Sequence, residues 1–210
     1  MVASATAEVV DPPRMTLEEW ASLAEDEPGE LVDGLVVGEE VATNLHETAV
    51  SWVFGALRAW AKLRGHRVFG SEHKLGISPS RGRKPDVCMY PAGTRLRASA
   101  EVSRTPPLIV VEVVSPSPRD VHRDRVEKLK EYAQFGVAFY WLLDPRTRLV
   151  EILELGADGR YTIALSASAG LVAAPGCEGL MLDLDDLWAE VDELLFDAGD
   201  EDTEAPPSRS

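Results

Sequence analysis

Apolar and polar positions along this chain follow two rhythms, one of helices and one of strands. Across residues 44–64, Leu45, Ala49, Trp52, Val53, Ala56, Leu57 and Trp60 recur at three- and four-residue spacing, which predicts a long amphipathic helix. Asn44, with Glu47 three residues on, is placed to cap it, and Gly65 to close it. A shorter helix is predicted from Thr16-Leu17-Glu18-Glu19, with Leu17, Trp20 and Leu23 on one face and Pro28-Gly29 at its end. Residues 117–135, closed by Gly136, read as a third helix. Residues 183–196 read as a fourth, with Leu187, Trp188, Val191 and Leu194 at helical spacing.

Shorter apolar runs lie between these. Residues 30–37 read as two strands around an Asp33-Gly34 turn. Residues 66–77 and 84–90 read as consecutive strands flanking a Gly- and Arg-rich turn at 78–83. In the second of these, Asp86, Cys88 and Tyr90 share one face, and Val87 and Met89 share the other. Residues 139–143 and 149–155 are expected to pair across Asp144-Pro145-Arg146, and 161–165 to pair with the latter across Asp158-Gly159. Residues 92–105 are polar and basic and read as a loop. The alternation predicts an α/β (α+β) domain over residues 15–196, with a mixed central sheet flanked by helices. Disordered tails are expected at 1–14 and, strongly acidic, at 197–210.

Residues 108–114, LIVVEVV, break the pattern. Bounded by Pro106-Pro107 and Ser115-Pro116, they read as a strand buried on both faces, yet carry Glu112. A buried carboxylate needs a partner, because desolvation costs several kcal/mol or forces neutralisation. Either the strand is an edge with Glu112 in water, or other residues compensate the charge.

Charge narrows the search. The chain of 210 residues carries a net −15, but residues 58–130 hold sixteen of its twenty-one Lys and Arg and are net +9. That basic stretch encloses the Glu112 strand, and reads either as a phosphate-attracting patch or as charges scattered over a solvated face. No apolar run reaches the length of a membrane helix, and the first residues lack the basic and apolar regions of a secretory signal. Cys88 and Cys177 have no metal-site spacing and read as small buried residues in a reducing cytoplasm.

Asp86 and Glu112 on neighbouring strands can offer oxygen ligands to a hard divalent cation, which would explain the buried charge. A bound metal would make hydrolysis accessible by lowering the pKa of its water. In the following helix Lys128 has Val121 at i−7, Tyr132 at i+4 and Phe135 at i+7, so it lies on an apolar stripe and faces the sheet, either as a functional cation or as a snorkelling packing residue. His46, in the first turn of the long helix, could reach a neighbouring strand or ligand, or simply pack.

Four segments carry a resemblance: ELVDG at 30–34, KPDV at 84–87, PPLIVVEVVSPS at 106–117 and DRVEKLKEYAQFGVAFYWLLDP at 124–145. Together they resemble the Uma-two family of bacterial proteins, assigned to the PD-(D/E)XK, restriction endonuclease-like superfamily. The resemblance runs from about residue 15 to residue 195. It implies an endonuclease-like core with Asp86 and Glu112 as acids binding Mg²⁺ or Mn²⁺ and Glu30 as an additional acid. The superfamily's usual lysine, two residues after the second acid, is replaced here by Val114. The family resemblance moves that role to Lys128 and places His46 where related sequences tend to carry a histidine. Tyr132, Gly136, Tyr140 and Trp141 also match, and read as packing and capping residues.

The leading expectation is a metal-dependent nuclease acting on DNA, with Arg81, Arg83, Lys84, Arg119, Arg123 and Arg125 as backbone contacts and a homodimer as one arrangement. The alternatives are a non-catalytic nucleic-acid-binding or regulatory protein on the same fold, and a hydrolase of a small phosphorylated metabolite.

Overall fold

The computed structural model describes residues 13–24, 29–38, 42–115 and 122–197. The expected tails, residues 1–14 and 197–210, fall almost wholly outside that range, as do Val121 and the candidate phosphate contact Arg119. In chain order the elements are α1 (Leu17–Ala21), β1 (Glu30–Val32), β2 (Leu35–Val37), α2 (Asn44–Lys62), β3 (Arg67–Phe69), β4 (Leu75–Ser78), β5 (Arg81–Arg83), β6 (Val87–Tyr90) and β7 (Ile109–Val113). A π-helical segment, Arg123–Lys128, runs directly into α3 (Leu129–Phe135). β8 (Phe139–Asp144), β9 (Leu149–Leu155), β10 (Tyr161–Ala167), β11 (Leu171–Ala173), β12 (Met181–Asp183) and α4 (Leu184–Asp197) complete the chain.

Where one mixed sheet was expected, the strands form three. Six strands in the order β10-β9-β8-β7-β6-β3 make the central sheet, β2-β1-β5-β4 make a smaller one, and β11-β12 a hairpin. The central sheet is mixed: β7 and β8 are parallel, joined through the π segment and α3, and every other pairing is antiparallel. β7 therefore lies between β6 and β8, which excludes the edge position for Glu112.

Strand alternation divides the central sheet into two faces. Ile109, Val111 and Val113 meet Val53, Leu57 and Trp60 of α2 and Leu187, Trp188 and Val191 of α4. Val110 and Val114 lie on the opposite face with Cys88, Tyr90, Tyr132 and Tyr140. Glu112 shares that second face, the one α3 covers.

Two local expectations change. α2 is capped by Thr43 instead of Asn44, the Thr43 hydroxyl accepting the His46 N–H at 3.2 Å. The span 66–83, read as one strand and a turn, holds three short strands in two sheets, β3, β4 and β5. β5 is the surprise, because Arg-Gly-Arg has little strand propensity. Its pairing is set by tertiary contact: Gly82 sits against the ring of Trp20, where any Cβ would clash. The Asp33-Gly34 turn forms as expected, with φ of 50° and 82°. α1 carries its full capping box, Thr16 and Glu19 bonding reciprocally.

Candidate active site

The antiparallel register Val87↔Val111 brings Asp86, one residue before β6, beside the Glu112 end of β7. Asp86 Oδ2 accepts the Val113 N–H at 2.7 Å, and His46 Nε2 lies 3.3 Å from the same oxygen. Five of the residues singled out from the sequence are thus drawn together: Asp86, His46, Glu112, Lys128 and Glu30. Lys128 Nζ is 2.9 Å from Glu112 Oε2, 3.3 Å from Asp124 Oδ1 and 3.5 Å from Glu30 Oε1. The lysine is buried, so its ammonium is a fixed charge between three carboxylates.

The π segment makes this possible. Inserted π turns often mark functional positions in helices. Here the segment directs both Asp124 and Lys128 toward the sheet. The Tyr140 hydroxyl donates to the Asp124 carbonyl at 2.9 Å, fastening the widened turn to β8.

A second layer holds the first. Tyr132 Oη donates to Glu112 Oε1 at 2.6 Å. Arg83, fully buried, donates from Nη1 to Glu30 Oε2 at 2.7 Å and from Nε and Nη2 to the two Glu131 oxygens at 2.6 and 2.9 Å. The Lys84 backbone N–H adds a bond to Glu30 Oε1 at 3.1 Å.

Acids outweigh bases in this interior, and the ionisation of each group follows. Burial pushes the Glu112 carboxyl up to about 8, Lys128 opposing the rise and Asp86, Asp124 and Glu30 reinforcing it. Asp124 is also raised, chiefly by burial, against the pull of Lys128 and Arg123. For Glu30 burial is again the largest influence, but Lys128 and Arg83 outweigh it and hold the acid below its ordinary value. Burial disfavours the Lys128 ammonium, yet Glu112, Glu30 and Asp124 keep it firmly protonated. Burial likewise pulls His46 down, while the hydrogen bond and charge of Asp86 lift it to about 9.

Asp86, Glu112, Asp124, His46 and Lys128 line one cavity of about 190 Å³. The donor set suits a hard cation: carboxylate oxygens, an excess of negative charge, and a buried Asp124 Oδ1 that has the Lys128 ion pair but no hydrogen bond. Among the described residues no group of three or more His, Cys, Asp or Glu side chains is arranged to hold a metal ion. A cation held by Asp86 and Glu112 would therefore keep water or substrate oxygens in its other positions, as Mg²⁺ commonly does.

The arginines nominated as phosphate contacts are mostly engaged elsewhere. Arg83 has no exposed surface and serves as counter-ion to Glu30 and Glu131, so it is corrected from a phosphate contact to an internal brace. Arg81 grips Asp33 through two bonds of 2.8 Å and also pairs with Glu131, and Arg125 pairs with Glu151. Lys84 bonds Glu72 at 2.9 Å on the cavity rim, which Arg123 also lines. Sequence reading missed Glu131 and took Tyr132 for packing alone. The i+4 spacing from Lys128 to Tyr132 was the available signal, since it puts a hydroxyl beside the ammonium.

The mixed central sheet flanked by helices is an endonuclease-like fold. The chain belongs to the Uma2 family, described as "Putative restriction endonuclease", which it matches over residues 16–184. Its structure resembles the 1.96 Å crystal structure of a protein from Anabaena variabilis ATCC 29413, titled "putative nuclease belonging to DUF820". The TM-score is 0.68 at 21% identity, over 84% of this chain and 99% of that one, a likeness of fold. No protein with a curated description matches the chain.

Proposed function

We propose that this protein is a metal-dependent nuclease that hydrolyses phosphodiester bonds in DNA, with Asp86 and Glu112 holding Mg²⁺ or Mn²⁺. The observation that carries this reading is the contact of Lys128 with Glu112 at 2.9 Å, on the wall of the cavity that Asp86 also lines. On this reading Lys128, from the next helix, takes the part of the strand lysine that Val114 replaces. The family description and the nuclease title of the Anabaena protein point the same way.

Bound there, the cation would lower the pKa of a coordinated water and offset charge on a phosphoryl oxygen. Lys128 stays protonated against three acids, so it cannot take the proton from water. Its role is a positioned charge that orients the water or a phosphate oxygen. Tyr132 fixes the Glu112 rotamer, and the Arg83–Glu131 pair fixes Glu30. His46, from α2, orients Asp86.

A second reading, nucleic-acid binding without turnover, is favoured by one feature: both Glu112 oxygens already accept hydrogen bonds, from Lys128 and Tyr132. Calorimetric titration with Mn²⁺, paired with supercoiled-plasmid cleavage, separates the two. Native protein should bind Mn²⁺ and nick the plasmid, while Asp86→Ala and Glu112→Ala lose both. Binding with no cleavage of plasmid, linear duplex or single strand would select the second reading. Absence of Mn²⁺ binding, with and without oligonucleotide, would overturn the metal site.

A further inference from the structure

A second cleft, of about 540 Å³, opens beside the active-site cavity and shares the rim residue Glu72 with it. Its outer wall is the loop 92–105, which is anchored to the body of the protein. Ser103 N donates to the Lys74 carbonyl at 2.9 Å, Gly76 N to the Ser103 carbonyl at 2.8 Å, and Tyr90 Oη to Ser103 Oγ at 2.9 Å. Turns closed by Thr94 N to Pro91 O and Ala100 N to Arg97 O, at 3.2 and 3.1 Å, shape its tip. The wall is therefore largely preorganised, which lowers the cost of binding.

The cations around this cleft differ in what occupies them. Lys74 is turned away onto the carbonyls of Trp20, Ala21 and Leu23, and Arg104 pairs with Glu18. Arg95 and Arg97 are exposed, and no hydrogen bond or ion pair engages either guanidinium group among the described residues. They contrast with Arg81, Arg83 and Arg125, whose guanidinium groups are taken up by acids. Between the loop and β4 the cleft presents Leu96 and Val102, together with the His73 imidazole, which stacks on Phe69 at 4.3 Å. Burial lowers the basicity of that imidazole, which leaves a flat, neutral ring. On a chain of net charge −15, two unengaged guanidinium groups in a cleft that shares Glu72 with the active-site cavity are where a phosphate backbone finds attraction.

We propose that this cleft is a nucleotide subsite, in which Arg95 and Arg97 hold a phosphate next to the one cleaved and the base lies against Leu96, Val102 and His73. The inference rests on the nuclease reading and adds where the strand runs. Guanidinium groups match phosphate geometry in pairs of hydrogen bonds, and a flat apolar floor accepts any base, so the subsite adds affinity with little sequence preference.

Fluorescence anisotropy with a labelled 12-nucleotide DNA, single-stranded and duplex, tests it in EDTA across a salt series. The full-length double variant Arg95→Ala/Arg97→Ala should bind at least about tenfold more weakly at moderate salt. Its log Kd against log salt should be shallower by about 0.7 for the single strand or 0.9 for the duplex, the loss of one phosphate contact. Mn²⁺ binding by calorimetry should be unchanged, which also shows that the variant is folded. A double variant that binds with native affinity and native salt slope, while the native chain binds and cuts, overturns the subsite alone. A native chain that binds no oligonucleotide at low salt, with or without Mn²⁺, removes the nuclease reading and the subsite with it.

Discussion

Replacing Lys128 by methionine deletes one ammonium and keeps most of the apolar stem. Nζ lies 2.9, 3.3 and 3.5 Å from carboxylates of Glu112, Asp124 and Glu30, all buried. At an effective dielectric of about 20, each contact is worth roughly 5 kcal/mol of gross attraction. The loss cannot reach the sum of these, because a stranded carboxylate takes up a proton instead. Neutralising an acid of ordinary pKa near 4 costs about 1.4 kcal/mol per pH unit above that value, so about 5 kcal/mol at pH 8. Glu112 already stands at about 8, so the extra proton falls on Asp124 or Glu30. The variant should lose roughly 3–5 kcal/mol at pH 8, the range for breaking a buried pair by removing one partner. One additional bound proton makes that loss about 3 kcal/mol smaller at pH 6. Urea unfolding followed by tryptophan fluorescence at pH 6, 7 and 8 measures both quantities, with Trp141 and Trp188 buried in the core as reporters. A loss below about 1 kcal/mol at pH 8, or one that does not change with pH, would refute Lys128 as the charge that the three acids depend on.

The remaining predictions concern the scaffold. Gly82→Ala should destabilise by about 1–3 kcal/mol, since its Cβ runs into the Trp20 ring, and Trp20→Leu in the same chain should recover part of the loss; denaturant midpoints of the two variants decide it. His73 has its basicity lowered by burial, so its contribution to stability is present above the ordinary histidine value and is lost as pH falls through and below it. Thermal unfolding between pH 7.5 and 5 should therefore fall less steeply for His73→Phe than for the native chain; equal slopes would show that protonating His73 costs the fold nothing. Above pH 8, where Glu112 is ionised, Tyr132→Phe should cost about 1.5–3 kcal/mol, the worth of a hydrogen bond to a charged group, and it should weaken Mn²⁺ binding by loosening Glu112; an unchanged calorimetric affinity would leave Tyr132 a packing residue.

Much of the site was legible because it breaks rules the rest of the chain obeys. A glutamate inside an apolar strand and a lysine on an apolar helical stripe both demand compensation, and Glu112 and Lys128 compensate each other. The strand β9 and the helix α2 were legible because their periodicity continues over several side chains, and β7 because its apolar run is unbroken but for one charge. The region 66–83 was not, because strands of three or four residues carry too few positions to show a period, and β5 depends on Trp20 from far along the chain. Arg83 illustrates another limit. Sequence shows that a charge exists but not that Glu30 and Glu131 enclose it, so an internal brace read as a surface contact. The π segment was equally hidden, since six residues of slightly wider winding leave an apolar stripe almost unchanged.

The contacts of the cluster also run between architectural units. Glu30 and Arg83 belong to the four-stranded sheet, Glu112 to the six-stranded one, and Lys128, Glu131 and Tyr132 to the helix that covers the latter. The charges that would manage a phosphate are thus the same ones that fasten the smaller sheet to the larger. On the nuclease proposal, a descendant of this chain without turnover would still need them to stay folded, and selection for the fold alone would preserve Glu30, Arg83, Glu112 and Lys128. Asp86, whose contacts are the Val113 amide and His46, carries less of that fastening, and it is the residue whose loss would first distinguish a retired enzyme from a working one.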